Sequence, residues 1–389
     1  NFLDRLDTVD LTIETPSDGI QGYTQKWFKI DQLYRKYMFH ASKSMASQAH
    51  DLLDKLNNKI EDLYTNDFLL KLGDNWQVQV DQLDHWLIPS VKKQWEFYYD
   101  YLRLYVEANR RKKIYVVISD ALRYEIGEEL VGLIRNEDRY DADVEAMLST
   151  LPSYTQLGMA ALLPHETLRI DPSNGKNVVY VDDKDSRGTK NRSQILEQIN
   201  GVAIQAEDLL KLTTPESRDF VKLYDVVYVY HNVIDNIGDK RATENETFDA
   251  VERAFSEILD IIRKLTNANA NNILITADHG FLYQQSKIEE SDYISDQPRR
   301  ADDITIDRRF VIGKTLDEHP SYKKFTASQL GIAGEFDVQI PKSINRLRQS
   351  GSGSRYVHGG ASLQEILVPV LVVNKKRESD TRKVKVSII

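Results

Sequence analysis

Apolar positions recur every three or four residues in the first part of the chain, from Gln21 to about Lys113. The stretch KIDQLYRKYMFHASKSMASQAHDLLDKLNNKIEDLY places apolar and aromatic residues at this spacing, with charged residues between them. This period is that of an amphipathic helix. A second stretch, VKKQWEFYYDYLRLYVEANRR, repeats it. The pattern predicts a helical segment over residues 1–112.

The period changes after this segment, because short runs become almost entirely apolar. IYVVIS is followed by a polar turn at Ser119 and Asp120, and similar runs occur in NVVYVDD, VVYVYHN and NILITADHG. Helical patterns such as ETFDAVERAFSEILDIIRKLT separate them, and the polar DDKDSRGTKNRSQ predicts a loop. Continuous apolar strands separated by helices indicate a mostly parallel sheet with helices on both faces. The sequence predicts this α/β fold over 113–375, with 376–389 as a C-terminal strand or the start of a following domain.

Composition narrows the class of protein. The chain has 389 residues, 41% hydrophobic and 29% charged, which is typical of a folded protein with room for two or three domains. It begins at Asn1 rather than Met, so we expect a fragment of a longer polypeptide. With no cysteine, disulfides and thiolate metal sites are excluded, and a cytoplasmic setting fits. No apolar run approaches the ~18 residues of a membrane span.

The net charge of −9 argues against non-specific capture of nucleic acid by the whole surface. Any contact with nucleic acid would be local, for example near the basic stretch NRRKK.

Acidic side chains follow three of the predicted strands. Asp120 follows YVVIS, Asp235 comes shortly after VVYVYHN, and Asp278 with His279 follows ILITA. A single aspartate at such a place is most often a helix cap or turn residue. Three carboxylates at one sheet edge would repel one another unless a cation neutralised them. Oxygen and imidazole ligands without sulfur suit zinc, manganese or magnesium, and two metals ~3.5 to 4 Å apart are usual for displacement at phosphorus.

A hydroxyl nucleophile is offered by LSTLPSYTQLGMAALLP. Pro152 and Ser153 predict a turn, and Thr155 stands where a helix containing GMAALL would begin. Either hydroxyl could serve only as a helix cap. A hydroxyl at this place could also be a nucleophile, because the helix dipole and a metal both favour its alkoxide. Both interpretations stay open at this point.

His358 lies in the last motif, RYVHGGASLQEILVPVLVV, which predicts a helical turn and another apolar strand after two glycines. A lone histidine is more often a structural residue than a ligand. This motif therefore gains weight only from the motifs that accompany it.

Taken in chain order, VVISDALR, LPSYTQLGMAALLP, HNVIDNIGDK, TADHGF and YVHGGASLQEILVPVLVV resemble the PglZ family. This family is the alkaline-phosphatase-superfamily component of bacterial phage-growth-limitation and phage-exclusion (BREX) defence systems. The resemblance covers roughly Lys113 to Val373 and implies an alkaline-phosphatase-like catalytic domain over 113–375. The helical segment resembles the part that precedes this domain in longer members of the family.

The resemblance also implies a centre of two divalent cations, zinc first and manganese or magnesium as alternatives. One cation would be bound by Asp120, the nucleophile Thr155, Asp278 and His279, and the other by Asp235, Asp239 and His358. In phosphodiesterase-like relatives the middle motif resembles Asp-x-x-Gly-His, whereas in this chain the motif is DNIGD. Asp239 thus stands where a histidine is expected. A harder cation, weak zinc binding or recruitment of His231 are the alternatives for this second site.

The function that the resemblance implies is a metal-dependent phosphohydrolase of a phage-defence system, acting on nucleic acid or a nucleotide signal. Arg123, Arg308 and Arg309 are candidates to contact substrate oxygens, although each arginine is more often a salt-bridging residue. One alternative is a metal-dependent phosphate-rearranging enzyme or sulfatase on the same fold, which is disfavoured because the chain has no cysteine to form formylglycine. The other is a non-catalytic or weakly active scaffold that assembles with the methyltransferase, ATPase and other proteins of such a system.

Overall fold

A β-sheet forms the centre of the fold. The computed structural model describes residues 2–44, 50–107, 113–171, 177–296 and 304–376. The strands of the described residues are β1 (Lys92–Lys93), β2 (Ile114–Ser119), β3 (Tyr140–Leu148), β4 (Leu168–Asp171), β5 (Val178–Val181), β6 (Lys184–Asp185), β7 (Gly201–Gln205), β8 (Val226–His231), β9 (Asn272–Thr276), β10 (Leu282–Tyr283), β11 (Ile304–Ile306), β12 (Val311–Gly313), β13 (Tyr322–Thr326), β14 (Asp337–Pro341), β15 (Tyr356–Val357) and β16 (Leu367–Lys375).

The α-helices lie before and between these strands. In the described residues they are α1 (Phe2–Thr8), α2 (Pro16–Gly22), α3 (Phe28–Ser44), α4 (His50–Asp62), α5 (Lys71–Gln82), α6 (Arg103–Glu107), α7 (Tyr124–Arg135), α8 (Thr155–Ala161), α9 (Gly188–Leu196), α10 (Ala206–Lys211), α11 (Thr214–Leu223), α12 (Ile234–Gly238), α13 (Thr247–Asn267) and α14 (Leu363–Ile366). None of the described helices is both long and apolar enough to span a bilayer.

The central sheet has seven strands within the described residues, in the order β1-β3-β16-β9-β2-β8-β7. Strand β16 is antiparallel to both of its neighbours, and the other pairings are parallel. Every residue of β2 and of β8 is buried, because both faces of the sheet are covered there. Helix α7 packs against β3 and β16, and α9 packs against β7. The predicted α/β fold with a mostly parallel sheet is confirmed.

Two predictions about individual segments were wrong. The run NVVYVDD is not part of the central sheet: β5 pairs with β4 and β6 in a separate antiparallel sheet. Its residues alternate between buried and half-buried, so only one of its faces meets the core. The polar DDKDSRGTKNRSQ contains β6 and most of α9, because Ile195 and Leu196 at the end of that helix anchor it in the core.

The first part of the chain is helical, from α1 to α6 with additional π-helical turns at Tyr23–Trp27, Leu63–Leu70 and Tyr98–Leu102. The second helical pattern begins later than predicted, since β1 joins the central sheet and a 3₁₀ turn follows at Gln94–Glu96. The boundary at residue 113 stays a prediction. Residues 108–112 of the basic stretch and 377–389 of the predicted C-terminal element lie outside the described residues.

The helical segment packs on the α/β core through buried polar contacts. Arg123 Nη2 lies 2.8 Å from Asp31 Oδ1, and Arg35 Nε lies 3.0 Å from Glu125 Oε1. Trp76 Nε1 donates to the carbonyl of Ala361 at 2.7 Å. These contacts join helices α3 and α5 to the start of α7, just after Asp120 in the chain, and to Ala361, just after His358.

Candidate metal centre

The parallel order β9-β2-β8 brings the ends of three strands to one edge of the sheet. Asp120 follows β2, and Asp278 with His279 follows β9. One ligand atom from each of these three residues lies within 4.8 Å of the other two. His279 Nε2 is 3.5 Å from Asp120 Oδ1 and 3.4 Å from Asp278 Oδ2, and all three side chains are buried. We call these residues the first ligand group.

The hydrogen bonds of His279 fix which of its nitrogen atoms faces the carboxylates. His279 Nδ1 is 2.9 Å from the carbonyl oxygen of Gly280, which can only accept, so Nδ1 carries a proton. In this tautomer the lone pair of the ring is on Nε2, which faces the carboxylates. Asp120 Oδ1 and Asp278 Oδ2 are buried and have no hydrogen-bond partner in the described part of the chain. Three lone-pair atoms that face one another in this way fit a divalent cation.

The backbone holds Asp278 in place through its other oxygen. Asp278 Oδ1 accepts from the amides of Ala121 at 3.1 Å and His279 at 3.0 Å. Gln94, which the sequence did not single out, donates to the carbonyls of Ala277 at 3.1 Å and Asp278 at 2.8 Å. Its Oε1 accepts from the amide of Thr150 at 3.1 Å. Gln94 therefore ties the end of β9 to the loop that leads to Thr155.

The two candidate hydroxyls have different surroundings. Thr155 is the first residue of α8, and its Oγ1 lies 3.0 Å from His279 Nε2. Ser153 is fully buried and its hydroxyl donates to the carbonyl of Gly360 at 2.7 Å. Thr155 thus lies at the first ligand group, whereas the hydroxyl of Ser153 is bonded to the backbone of the motif around His358.

A second ligand group consists of Asp235, His279 and His358, whose ligand atoms also lie within 4.8 Å of one another. His358 Nε2 is 3.6 Å from Asp235 Oδ1. The rings of His279 and His358 stack with centroids 4.0 Å apart. Tyr356 donates its hydroxyl to Asp235 Oδ1 at 3.1 Å and so orients that carboxylate. The two groups share His279 and therefore adjoin each other.

Asp239 lies at the margin of the second ligand group. Its Oδ1 is 4.0 Å from His358 Nε2, and it also forms an ion pair with Arg308 Nη2. Burial raises the pKa of Asp239, but Arg308 and His358 outweigh this effect, so the net pKa is lowered. The carboxylate is thus ionised and already has a cationic partner.

Electrostatics at the centre favour a bound cation. Burial raises the pKa of Asp120 well above its usual value, and the neighbouring Asp278 and Asp235 raise it further. Burial also lowers the pKa of His358, as does the adjacent His279. The first shift shows that unneutralised negative charge is costly here, and the second keeps the His358 ring neutral, with a lone pair that a cation could bind.

Other residues that the sequence made candidates lie elsewhere. His231 Nδ1 is 3.0 Å from Ser119 Oγ and its Nε2 is 3.4 Å from Glu257, and it belongs to neither ligand group. Arg123 pairs with Asp31, as noted above, and Arg309 Nη2 pairs with Glu365 at 2.7 Å, both as buried ion pairs. Arg308 alone among these three arginines contacts a residue at the centre.

The sheet, its covering helices and the ligand groups at its carboxyl edge define an alkaline-phosphatase-like domain. A family profile described as "BREX system PglZ alkaline phosphatase-like domain" matches residues 97–373. The chain therefore belongs to the PglZ family. The match begins before residue 113, where the helical segment was predicted to end.

Two curated relatives support this membership. The chain is 39% identical over 368 residues to "Alkaline phosphatase-like protein BrxZ" of Escherichia coli O9:H4 (strain HS), covering 93% of this chain and 42% of the relative. It is 36% identical over 391 residues to "Alkaline phosphatase-like protein PglZ" of Bacillus cereus (strain H3081.97), covering 97% and 44%. The chain thus spans less than half the length of these relatives.

Solved structures with a similar arrangement have low sequence identity to this chain. Human ectonucleotide pyrophosphatase/phosphodiesterase 5 is 12% identical with a TM-score of 0.46, over 68% of this chain and 88% of that chain. Phosphonoacetate hydrolase from Sinorhizobium meliloti 1021 is 13% identical with a TM-score of 0.41, over 68% and 90%.

Proposed function

We propose that this chain is a metal-dependent phosphohydrolase, acting on phosphodiesters or phosphomonoesters in a phage-defence system of the BREX type. The observation that carries the proposal is the first ligand group, in which Asp120, Asp278 and His279 direct lone pairs at one another beside Thr155 Oγ1. Burial of these side chains makes the arrangement costly unless a cation completes it. The mixed oxygen and nitrogen donors suit zinc first, and manganese or magnesium as alternatives.

The ligand groups would hold two cations. Asp120, Asp278, His279 and Thr155 are assigned to one of them, and Asp235 and His358 to the other, with Asp239 as a further candidate. When bound, these ions would supply positive charge that favours the threonine alkoxide and stabilises negative charge on phosphoryl oxygens.

The reaction assigned to the chain itself is a double displacement. Thr155 Oγ1 bonds to phosphorus while the bond from phosphorus to the leaving oxygen breaks, and the proton of the threonine passes through solvent to that leaving oxygen. Water then attacks the phosphothreonine, releases phosphate or a phosphomonoester and restores the hydroxyl. Gln94 and the backbone amides that bind Asp278 keep this carboxylate in position for both steps.

The test compares bound metal and hydrolysis in the purified chain and in Asp278→Asn. Asparagine keeps an oxygen that can accept from Ala121 and His279 but removes the negative charge. Metal content is measured by elemental analysis, and hydrolysis is measured with the diester bis(p-nitrophenyl) phosphate and the monoester p-nitrophenyl phosphate in the presence of zinc, manganese or magnesium. We expect the variant to lose metal and activity together.

The control for this test is Asp208→Asn, a surface residue of α10 paired with Lys211. It should retain both metal and hydrolysis. A wild-type chain that binds no added metal and hydrolyses neither monoester nor diester would refute the proposed enzyme.

A second candidate function is a scaffold that assembles with the methyltransferase, ATPase and other components of a defence system. It is favoured by Asp239, which stands where a histidine is expected and is engaged by Arg308. Three results together would support this alternative. The full-length protein would co-purify with those components, the Asp278→Asn variant would assemble as the wild type does, and the wild type would show no hydrolysis.

A further inference from the structure

A cavity of about 550 Å³ has Arg308 in its wall, and Arg308 pairs with Asp239 at the margin of the second ligand group. Its lining includes Arg241, Arg308 and Arg348, together with Tyr293 and three serines of the loop at 350–354, Ser350, Ser352 and Ser354. The single acidic side chain in the lining, within the described residues, is Glu244. Glu244 Oε2 already accepts from the amides of Ser354 at 2.9 Å and Arg355 at 3.0 Å. The cavity is therefore cationic, although the whole chain carries a net charge of −9.

Arg308 connects this cavity to the candidate metal centre. It contributes to the cavity wall, and its Nη2 forms the ion pair with Asp239 beside His358. Its Nη1 donates to the carbonyl of Tyr356 at 3.0 Å. The side chain is 6% exposed; its Nε lies 3.7 Å from Asp307 Oδ1, too far for a hydrogen bond, and has no hydrogen-bond partner among the described residues. An anion in the cavity would supply the acceptor that this nitrogen lacks.

A second buried arginine adds positive potential beneath the same loop. Arg346 is 1% exposed, and its Nη1 donates to the carbonyl of Ser354 at 2.6 Å. Its Nε and Nη2 have no hydrogen-bond partner in the described part of the chain. Burial and the nearby Arg309 lower the pKa of Arg346 to about 10, which leaves it charged at neutral pH.

The lining also offers a flat aromatic surface. The guanidinium of Arg348 lies over the ring of Tyr293, 4.0 Å from its centroid. Arg348 also pairs with Glu290, but both side chains are largely exposed, and an exposed pair of this kind holds its arginine only weakly. Arginine and tyrosine planes of this kind stack on nucleobases, while the guanidinium groups bind phosphate.

We propose that this cavity binds a nucleoside phosphate that adjoins the reacting phosphoryl group, with the arginines on its phosphate and Tyr293 or Arg348 on its base. The inference rests on the proposed function and deepens it by locating a subsite for a second phosphate and its base beside the reacting group. The phosphate can belong to a single nucleotide or to the next unit of an oligonucleotide, and the substrates below distinguish these sources.

The kinetic test compares three substrates in wild type, Arg241→Gln and Arg348→Gln. Bis(p-nitrophenyl) phosphate has no second phosphate, 5′-phosphothymidine 3′-(p-nitrophenyl phosphate) has one, and a quenched fluorescent oligothymidylate has several. We expect each variant to lower kcat/KM for at least one nucleotidyl substrate roughly tenfold more than for bis(p-nitrophenyl) phosphate. A selective loss with both nucleotidyl substrates indicates a nucleotide subsite, and one confined to the oligothymidylate indicates a longer strand.

The matched control is Arg263→Gln. Arg263 pairs with Glu137, which lies just before β3 at the opposite edge of the parallel sheet from the ligand groups. This variant should leave the ratios of kcat/KM between the three substrates unchanged. Equal losses with all three substrates in the cavity variants would overturn the inference.

A binding measurement separates this inference from the proposed function. Fluorescence anisotropy of labelled oligothymidylate and of labelled thymidine 3′,5′-bisphosphate is measured with chelator present, so that no hydrolysis is needed. We expect weaker binding of one or both probes in Arg241→Gln and Arg348→Gln, with a smaller dependence of affinity on salt. If wild type hydrolyses nothing but shows this arginine dependence, the cavity assignment stands and the enzyme proposal fails. Binding that is equal in wild type and variants would refute the cavity assignment whatever the kinetics show.

Discussion

Gly158 of helix α8 lies directly against the backbone of Asp278, so that a Cβ added at residue 158 would lie 2.3 Å from the carbonyl oxygen of Asp278. No side chain fits this contact, since the obstacle is backbone and cannot rotate away. The close approach brings Thr155, three residues earlier on the same helix, to His279.

Gly158→Ala should therefore displace α8 and the hydroxyl of Thr155. A displacement of about 1 Å is enough to lower turnover by about 10²-fold, so we expect a loss of that order in metal-supported hydrolysis. The matched control is Gly132→Ala in α7, where an added Cβ meets no atom of the described residues within 4 Å. Alanine there should stabilise the fold by roughly 0.5 to 1 kcal/mol, measured by urea unfolding. Full activity in Gly158→Ala would show that the position of α8 is not critical.

Thr155→Ala should abolish formation of a covalent intermediate and lower hydrolysis of bis(p-nitrophenyl) phosphate by about 10³-fold or more. Thr155→Ser keeps a hydroxyl and should keep part of the activity. Ser153→Ala is the comparison. The Ser153 hydroxyl donates to the carbonyl of Gly360, so its removal should change the rate of hydrolysis by less than about tenfold. The opposite ranking of the two alanine variants would make Ser153 the nucleophile.

Asp31→Asn should destabilise the chain strongly. Asp31 is fully buried, pairs with Arg123 and accepts from the hydroxyls of Tyr23 at 2.8 Å and Tyr64 at 2.5 Å. Removing its charge leaves the guanidinium of Arg123 buried without a counterion, at a cost of about 3 to 5 kcal/mol in the free energy of unfolding.

Urea unfolding measures this effect, with Asp67→Asn as the control because Asp67 forms an exposed pair with Lys71. The control should change the free energy by less than about 0.5 kcal/mol. Similar small effects in both variants would mean that the helical segment packs on the α/β core independently of this ion pair.

Glu257 in α13 predicts a pH dependence of stability. The imidazole of His231, whose Nε2 lies 3.4 Å from Glu257 Oε2, together with Arg253 lowers the pKa of Glu257 to about 2, against an ordinary value of about 4.3 when unfolded. The folded state thus binds fewer protons than the unfolded state in this range, so the contribution is present above about pH 4.3 and is lost as the pH falls toward 2.

The difference in unfolding free energy between wild type and Glu257→Gln should be about 1 kcal/mol near pH 5.5, because the pair is partly exposed, and should shrink steadily by pH 3. Urea titrations at several pH values in this window measure it. A difference that grows on acidification would contradict the assignment.

The pattern of apolar and polar residues within short segments was enough to predict the α/β fold class. Apolar runs such as VVYVYH were buried strands because a strand in a covered sheet has no polar face, and this depends only on the residues of the strand itself. The same argument located Asp120, Asp235, Asp278 and His279 after strands, since chain order alone tells which residue follows a run.

Tertiary structure decided how these segments are arranged. The antiparallel direction of β16 and the placement of β5 in a smaller sheet depend on pairing between strands far apart in the chain, which periodicity does not encode. The sharing of His279 by two ligand groups likewise depends on where His358 arrives from the C-terminal motif.

The ion pairs also separate what the sequence determines from what only the tertiary structure determines. The sequence by itself supplied the motifs and the residue types for a metal centre, because these are properties of short segments. Only the tertiary structure brought Arg308 to Asp239 and Asp31 to Arg123, across 69 and 92 residues of chain. A charged side chain is paired by whatever the packing of the whole molecule places within reach, and no local pattern of residues specifies that partner.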